Sequence, residues 1–227
     1  MQKDKKVILI SGTSSGIGKY LALNFSKKFI VVGISRKKQI LKTKNYFHYK
    51  LDLNNYSNMQ KTVAKIFKKF GKVDILINNA GTNISHGNIY FVNRISIEKT
   101  IQTNLTSAIL LTKEVLRNMV INKSGKIINI ASSVINLLPE GESVYAASKA
   151  GLVTFTKILS KELRHFNISC NCISPFILDT PMIKKIKNDK INNLLKKRKR
   201  KKNKLLEIFK VAEKVINNKI NGKNIFL

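Results

Sequence analysis

An apolar run, Val7 to Ile10, passes directly into the glycine-rich stretch SGTSSGIGKYLALNF, residues 11–25. No other feature of the chain so narrows what it can fold into. Gly12, Gly16 and Gly18 allow a sharp turn, and Ile17, Leu21 and Phe25 then recur at helical spacing. Strand, turn and helix in that order bring free N–H groups and the positive end of a helix dipole to one place. Such a turn can cradle a pyrophosphate, and the hydroxyls of Ser14 and Ser15 add donors. The plainer alternative is a glycine-rich turn that holds nothing.

The rest of the chain repeats the alternation. Apolar runs VILI, FIVVGI, FHYKLDL, VDILIN, GKIINIAS, ISCNCIS and NIFL are separated by stretches of helical pattern. This predicts a single α/β domain over residues 1–227, a Rossmann-like doubly wound parallel sheet with helices on both faces. The length suffices for one well-buried core. No apolar run reaches the roughly 18 residues that a membrane helix needs. The first strand begins at residue 7, which leaves no room for a signal peptide, so a cytoplasmic setting is expected. Cys170 and Cys172 alternate on one strand and read as small core residues, while His48, His86 and His165 are not spaced as a metal site.

Tyr145 and Lys149 stand four residues apart in VYAASKAG, so a helix carries them on one face. An ammonium there favours phenolate over phenol and is expected to draw the tyrosine pKa below its usual value of about 10. A phenol so tuned can exchange a proton with an alcohol or carbonyl oxygen. Ser132 ends the strand-like IINIASS and offers a hydroxyl to the same oxygen, with Ser133 as a competitor for that role.

These motifs, with Asn78-Asn79-Ala80-Gly81 after VDILI and Asn104 in QTNLTSA, closely resemble the classical short-chain dehydrogenases/reductases, in register from Val7 to about Met182. The resemblance implies hydride transfer between a nicotinamide and a carbonyl or hydroxyl carbon. Tyr145 would be the proton donor, Ser132 the polarising hydroxyl, and Asn104 the holder of a relay water. The family spacing to Tyr145 and Asn129 selects Ser132 over Ser133. Lys149 would tune Tyr145 and bind the nicotinamide ribose. The same likeness assigns the cofactor turn to Gly12, Thr13, Ser14, Ser15, Gly16, Ile17 and Gly18, and the adenine contact to Asp52-Leu53. Asn79, Ala80 and Gly81 would lie along the adenosine ribose, whereas Asn78 would bridge strands. Pro175, Leu178 and Thr180 would meet the nicotinamide side.

Cofactor choice is read at the end of the second strand. Proteins of this fold that select NAD place an acid there, whereas this chain has Arg36-Lys37-Lys38. A guanidinium welcomes a 2′-phosphate, so NADP(H) is expected, with NAD(H) as the alternative. The net charge of +31 comes from lysines spread over nearly every element beside abundant Asn and Ile, a pattern an AT-rich coding sequence produces, so no specific nucleic-acid partner is inferred. The run KKRKRKKNK, residues 196–204, within a Lys-rich lid-like segment 183–204, reads as a solvated helix face, an anion-binding lid or a polyanion binder.

Two departures from the family pattern stand out. Phe176 replaces a usual glycine and is expected to strain the backbone or crowd the cofactor. The chain also stops at Leu227, before a glycine turn that helps many relatives form a homo-oligomer, the assembly expected here. Within the family the chain most resembles bacterial 3-oxoacyl-(acyl-carrier-protein) reductases, which implies a carbonyl substrate carried on acyl carrier protein. Lys123 matches one of two basic docking positions, and Phe166 occupies the other. A reductase of another small alcohol, sugar or ketone, and a catalytically idle basic binding protein, are the alternatives.

Overall fold

Residues 5–176 and 204–227 are described by the computed structural model. Val7–Ser11 forms β1, and its alternating side chains enter two different cores. Leu9 joins Met59, Val63 and Leu111 on one face, while Ile8 and Ile10 join Leu21, Phe25 and Val215 on the other. Because both faces are covered, the strand reads as an unbroken apolar run rather than an alternating one.

The remaining strands are β2 (Ile30–Ser35), β3 (Tyr46–Lys50), β4 (Ile75–Asn78), β5 (Gly125–Ile130), β6 (Ile168–Ser174) and β7 (Asn224–Phe226). They form one seven-stranded sheet in the order β3-β2-β1-β4-β5-β6-β7. All six neighbouring pairs are parallel. The expected single-domain, doubly wound α/β fold is therefore what the chain adopts. Strand order reverses between β1 and β4, where Ile8 pairs with Ile30's neighbour Val31 on one side and Ile75 on the other. A crevice opens at the carboxyl ends of strands at such a reversal.

Helices α1 (Gly16–Phe25), α2 (Tyr56–Phe70), α3 (Arg94–Ile101), α4 (Ser107–Ile121), α5 (Val134–Leu137), α6 (Ser143–Glu162) and α7 (Lys204–Asn217) complete the layers. The Phe25 and Phe209 rings, 4.9 Å apart, join α1 to α7. Helix α2 starts where the Asn55 side chain accepts from Asn58 N and ends at Gly71 (φ +77°), an ordinary start and stop for a helix. Between β4 and β5, Asn78 Nδ2 donates to Asn129 Oδ1 at 2.8 Å and to Thr112 Oγ1 at 2.9 Å. That is the strand bridge expected of Asn78. Cys170 and Cys172 are buried free thiols on β6. Among the described residues no helix is long and apolar enough to cross a membrane.

Candidate active site

The glycine turn is compact because side chains would not fit in it. Gly12 (φ +75°) and Gly16 (φ +54°) take left-handed conformations that favour glycine. A Cβ on Gly12 would lie 2.8 Å from Ala80 Cα, and one on Gly18 would collide with Gly12 O and Asn79 Nδ2. Asn79 ties this turn to the one after β4: its Nδ2 donates to Ser11 O at 2.9 Å and Gly12 O at 3.2 Å. Ser11 Oγ accepts in return from the backbone N–H groups of Asn79 and Ala80, each at 3.0 Å.

A cleft of about 810 Å³ runs from this turn across the sheet's carboxyl edge. Gly12, Ser14, Ser15, Gly16 and Ile17 line it at one end, and Asn79, Ala80 and Gly81 in the middle. Thr13 and Gly18 are buried behind the wall, where Thr13 Oγ1 accepts from Tyr46 Oη at 3.0 Å. They shape the turn rather than face the cleft.

Arg36, Lys37 and Lys38 line the cleft past β2, opposite Asp52 and Leu53. Ser35 Oγ donates to Lys37 O at 2.7 Å and stands 2.8 Å from His48 Nε2, which fixes the basic turn. Burial first, and the Lys38 charge second, hold the His48 pKa below its usual value. The Asp52 carboxylate accepts from Asn54 N at 3.0 Å, capping the loop into α2.

At the far end α6 presents Tyr145 and Lys149 to the cleft, and Ser132 follows the end of β5. The Ser132 hydroxyl lies close enough to the Tyr145 phenol to pull its pKa down. Ser132 Oγ also accepts from Val134 N at 3.2 Å, while Ser133 Oγ is buried without a partner. The spacing-based choice of Ser132 therefore coincides with the serine that reaches the phenol.

The expected lowering of the Tyr145 pKa is not what the structure gives. Burial pushes it up to about 12, against the opposing pull of the Ser132 hydrogen bond, and the Glu142 charge adds to the rise. Lys149 Nζ is 5.8 Å from the ring centroid and donates to Ile130 O at 2.9 Å. Its own pKa is lowered by burial to about 8. Sequence spacing places the cation one turn away, but depth below the surface dominates both groups.

Asn104 lies in a π-helical turn, Gln102–Thr106, between α3 and α4. Its side chain accepts from Thr82 N at 2.7 Å and donates to Thr82 O at 2.8 Å and Ser148 Oγ at 3.1 Å. It sits behind Gly81: a Cβ there would lie 3.3 Å from Asn104 Oδ1 and 3.5 Å from Lys149 Nζ. Pro175 O accepts from Ser133 N at 2.9 Å, and Phe176 forms part of the cleft wall. Phe176 is not among the residues with positive φ, so the backbone strain expected of it is absent. Leu178, Thr180 and residues 183–203 lie outside the described residues.

The sequence reading missed Glu142 and Asn83 and passed over His86. Glu142, only 4% exposed, lines the cleft three residues before Tyr145. Asn83 Nδ2 donates to its Oε2 at 2.6 Å, and His86 Nδ1 stands 2.8 Å from its Oε1. Burial of a carboxylate was the signal, and it emerges only in three dimensions.

A dinucleotide-sized cleft with a glycine turn at one end and a Ser–Tyr–Lys group at the other defines an oxidoreductase of the nucleotide-binding α/β class. The family model described as short chain dehydrogenase matches residues 6–191. A curated relative, the 3-oxoacyl-(acyl-carrier-protein) reductase FabG of Buchnera aphidicola subsp. Baizongia pistaciae, is 34% identical over 87% of this chain and 83% of its own. The (2S)-[(R)-hydroxy(phenyl)methyl]succinyl-CoA dehydrogenase subunit BbsD of Thauera aromatica is 33% identical over 78% and 75%. Among solved structures, ElxO with NADP bound superposes with a TM-score of 0.86, at 26% identity over 98% and 96% of the two chains. The chain belongs to the short-chain dehydrogenase/reductase family and is an NAD(P)-dependent oxidoreductase.

Proposed function

We propose that this protein uses NADP(H) to interconvert a carbonyl and a secondary alcohol, with a 3-oxoacyl group thioester-linked to acyl carrier protein as its substrate. The observation that carries the chemistry is the gathering of Ser132, Tyr145 and Lys149 in the same cleft as the glycine turn, with the Ser132 hydroxyl beside the Tyr145 phenol. The two turns locked together through Asn79 leave a glycine-walled cradle for a pyrophosphate, so the residues present fit a dinucleotide. When bound, the nicotinamide supplies or accepts the hydride.

The side chains do the proton work. A phenol pushed up to about 12 is fully protonated at neutral pH, so Tyr145 is held as a donor. Transfer to a developing alkoxide is downhill, because an alkoxide is the stronger base. Ser132 donates to the same oxygen and helps orient it. Lys149 would place a cation near the nicotinamide ribose and, one turn from Tyr145, would oppose the cost of forming phenolate. Asn104 holds Thr82 and hence the turn after β4 in position. Arg36 would meet the 2′-phosphate, with Asp52 and Leu53 on the adenine side.

The names of the relatives support the acyl-thioester substrate: two of them act, by name, on acyl groups carried by acyl carrier protein or coenzyme A. Lys123 is exposed, and its carbonyl accepts from Asn167 Nδ2 at 3.4 Å, so the two sequence-derived docking positions are neighbours on one surface. Buried free thiols at Cys170 and Cys172 fit the reducing cytoplasm proposed as its setting.

The test is NADPH oxidation with a 3-oxoacyl thioester, by wild type and Tyr145→Phe. We expect turnover that falls by about 10²–10⁴ in the variant, as loss of a general acid does, with NADPH binding retained. Full activity in Tyr145→Phe would place the acid elsewhere.

A further inference from the structure

Ser35 ends β2, and its hydroxyl has one hydrogen to share between two neighbours. The Lys37 carbonyl, 2.7 Å away, can only accept, so the hydrogen goes there. His48 Nε2, 2.8 Å from the same oxygen, must then be the donor. The neutral ring is thereby fixed as the Nε2–H tautomer. A hydroxyl that accepts one hydrogen bond donates a stronger one, so His48 reinforces the bond that closes the turn over Arg36.

The brace is built into the sheet. His48 is the ladder partner of Gly33, two residues before Ser35, so its ring leans towards the carboxyl ends of the strands to reach the hydroxyl. Tyr46, on the same face of β3, leans the same way and donates to Thr13 of the glycine turn at 3.0 Å. Strand β2 makes room with a glycine: a Cβ on Gly33 would run into the Tyr46 phenol and Thr13 Oγ1. The edge strand thus holds one turn through Tyr46 and the other through His48. Ser35, Arg36, Lys37 and Lys38 line the cleft, with His48 behind them.

We propose that His48, through the Ser35 hydroxyl, positions the Arg36–Lys38 turn and so sets how strongly the cleft separates a 2′-phosphate from a 2′-hydroxyl. It is a positioning residue for cofactor choice. The inference rests on the reading that this corner takes the adenosine ribose of NADP(H). Guanidinium–phosphate contacts are directional, so a small displacement of the turn weakens them. The parts that NADPH and NADH share rest on the glycine turn, which has its own tie through Tyr46. Loss of the His48 donor should therefore weaken NADPH and leave NADH nearly unchanged.

Fluorescence titration at pH 8 gives the Kd of NADH divided by that of NADPH for wild type, His48→Leu, His48→Gln, Ser35→Ala and the double variant Ser35→Ala/His48→Leu. Leucine removes the donor, whereas glutamine offers an amide N–H at similar reach. The ratio should fall about fivefold in His48→Leu, through the NADPH value alone, and stay within twofold of wild type in His48→Gln. The double variant should be no lower than Ser35→Ala, because the two residues act along one path. A His48→Leu ratio within twofold of wild type overturns the proposal, and so does a glutamine variant as impaired as the leucine one. A further fall in the double variant overturns it too. Equal weakening of both nucleotides marks general loosening of the fold and has the same consequence.

The tautomer is a readout that needs no nucleotide. Burial holds the His48 pKa below its usual 6.5, so the ring is neutral at pH 8. Long-range ¹⁵N–¹H correlation spectra should show its proton on Nε2. A proton on Nδ1 would make Ser35 the donor to the ring and break the tether to Lys37. A wild type that binds NADH as well as NADPH counts against the NADP(H) reading itself and takes this proposal with it. A wild-type preference that survives in His48→Leu removes the proposal alone.

Discussion

The Lys149 ammonium donates to the Ile130 carbonyl at 2.9 Å, beneath the surface at the carboxyl end of β5. One neutral acceptor is a poor exchange for bulk water, which is why burial lowers the Lys149 pKa from 10.5 to about 8. The folded value lies below the unfolded one, so between about pH 8 and 10.5 the unfolded chain binds the proton and the folded chain does not. Stability therefore rises with pH through that window, and the cost of burying the cation is fully present below it. Urea unfolding of the cofactor-free protein should show wild type gaining roughly 3 kcal/mol from pH 8 to 10.5 relative to Lys149→Met. Parallel pH profiles of the two proteins would mean that the ammonium is solvated in the free enzyme.

Gly18→Ala should damage both stability and cofactor binding. Its Cβ would enter the space held by Gly12 O and Asn79 Nδ2, which are backbone and a side chain already fixed by two hydrogen bonds. Neither can retreat without opening the turn. The expected cost is about 1–3 kcal/mol in urea unfolding, as for other overpacked sites, together with at least a tenfold weaker NADPH affinity by fluorescence titration. Gly71→Ala is the contrast: a Cβ there meets nothing within 4 Å, and the residue is remote from the cleft, so only the φ of +77° resists it.

What could be read from the sequence follows a physical division. Local periodicity located β6 and the start of β1, and the Gly12–Gly18 turn, because burial on both faces and glycine backbone freedom leave direct marks in the residues. Tyr145 and Lys149 were legible because helical spacing alone puts them on one face. The π turn at Gln102–Thr106 was not, since its residues continue a helical pattern and only the Ser107 N to Gln102 O bond marks the extra residue. Nor was the Glu142–Asn83–His86 cluster, whose members are separated by 59 and 56 positions and meet only when the loops after β4 and before α6 close on each other. The rise of the Tyr145 pKa was missed for the same reason: a sequence shows which charge is near, but not how much water is excluded.

Asn78→Ala should destabilise without touching the cleft. The substitution leaves Asn129 Oδ1, buried between β4 and β5, without its donor at 2.8 Å and removes the tie to Thr112. An orphaned buried acceptor costs about 1–3 kcal/mol. Asn78→Asp should be worse, because a carboxylate would then face the Asn129 carbonyl oxygen, acceptor against acceptor. Chemical denaturation of the three proteins at neutral pH gives the order wild type, Ala, Asp; equal midpoints would show that the strands are held by their ladder alone.

Arg36 is expected to set which nucleotide the cleft prefers. It lines the cleft directly after β2, with Lys37 and Lys38 beside it, and the nearest carboxylate on that wall, Asp52, follows a different strand and caps Asn54. A 2′-phosphate entering this corner meets cationic donors, whereas a 2′-hydroxyl finds no acid at the end of β2 to accept its hydrogen bond. Arg36→Asp reverses both terms at once, since it removes a bidentate phosphate partner and supplies the missing acceptor. The ratio of kcat/KM with NADPH to that with NADH should fall by about two orders of magnitude, read from initial rates with a single carbonyl substrate. Arg36→Leu separates the terms: it loses the attraction without gaining the acceptor, so it should weaken NADPH while leaving NADH near its wild-type value. If both variants keep the original ratio, Lys37 and Lys38 read the phosphate, and the double substitution of those lysines should then abolish the preference.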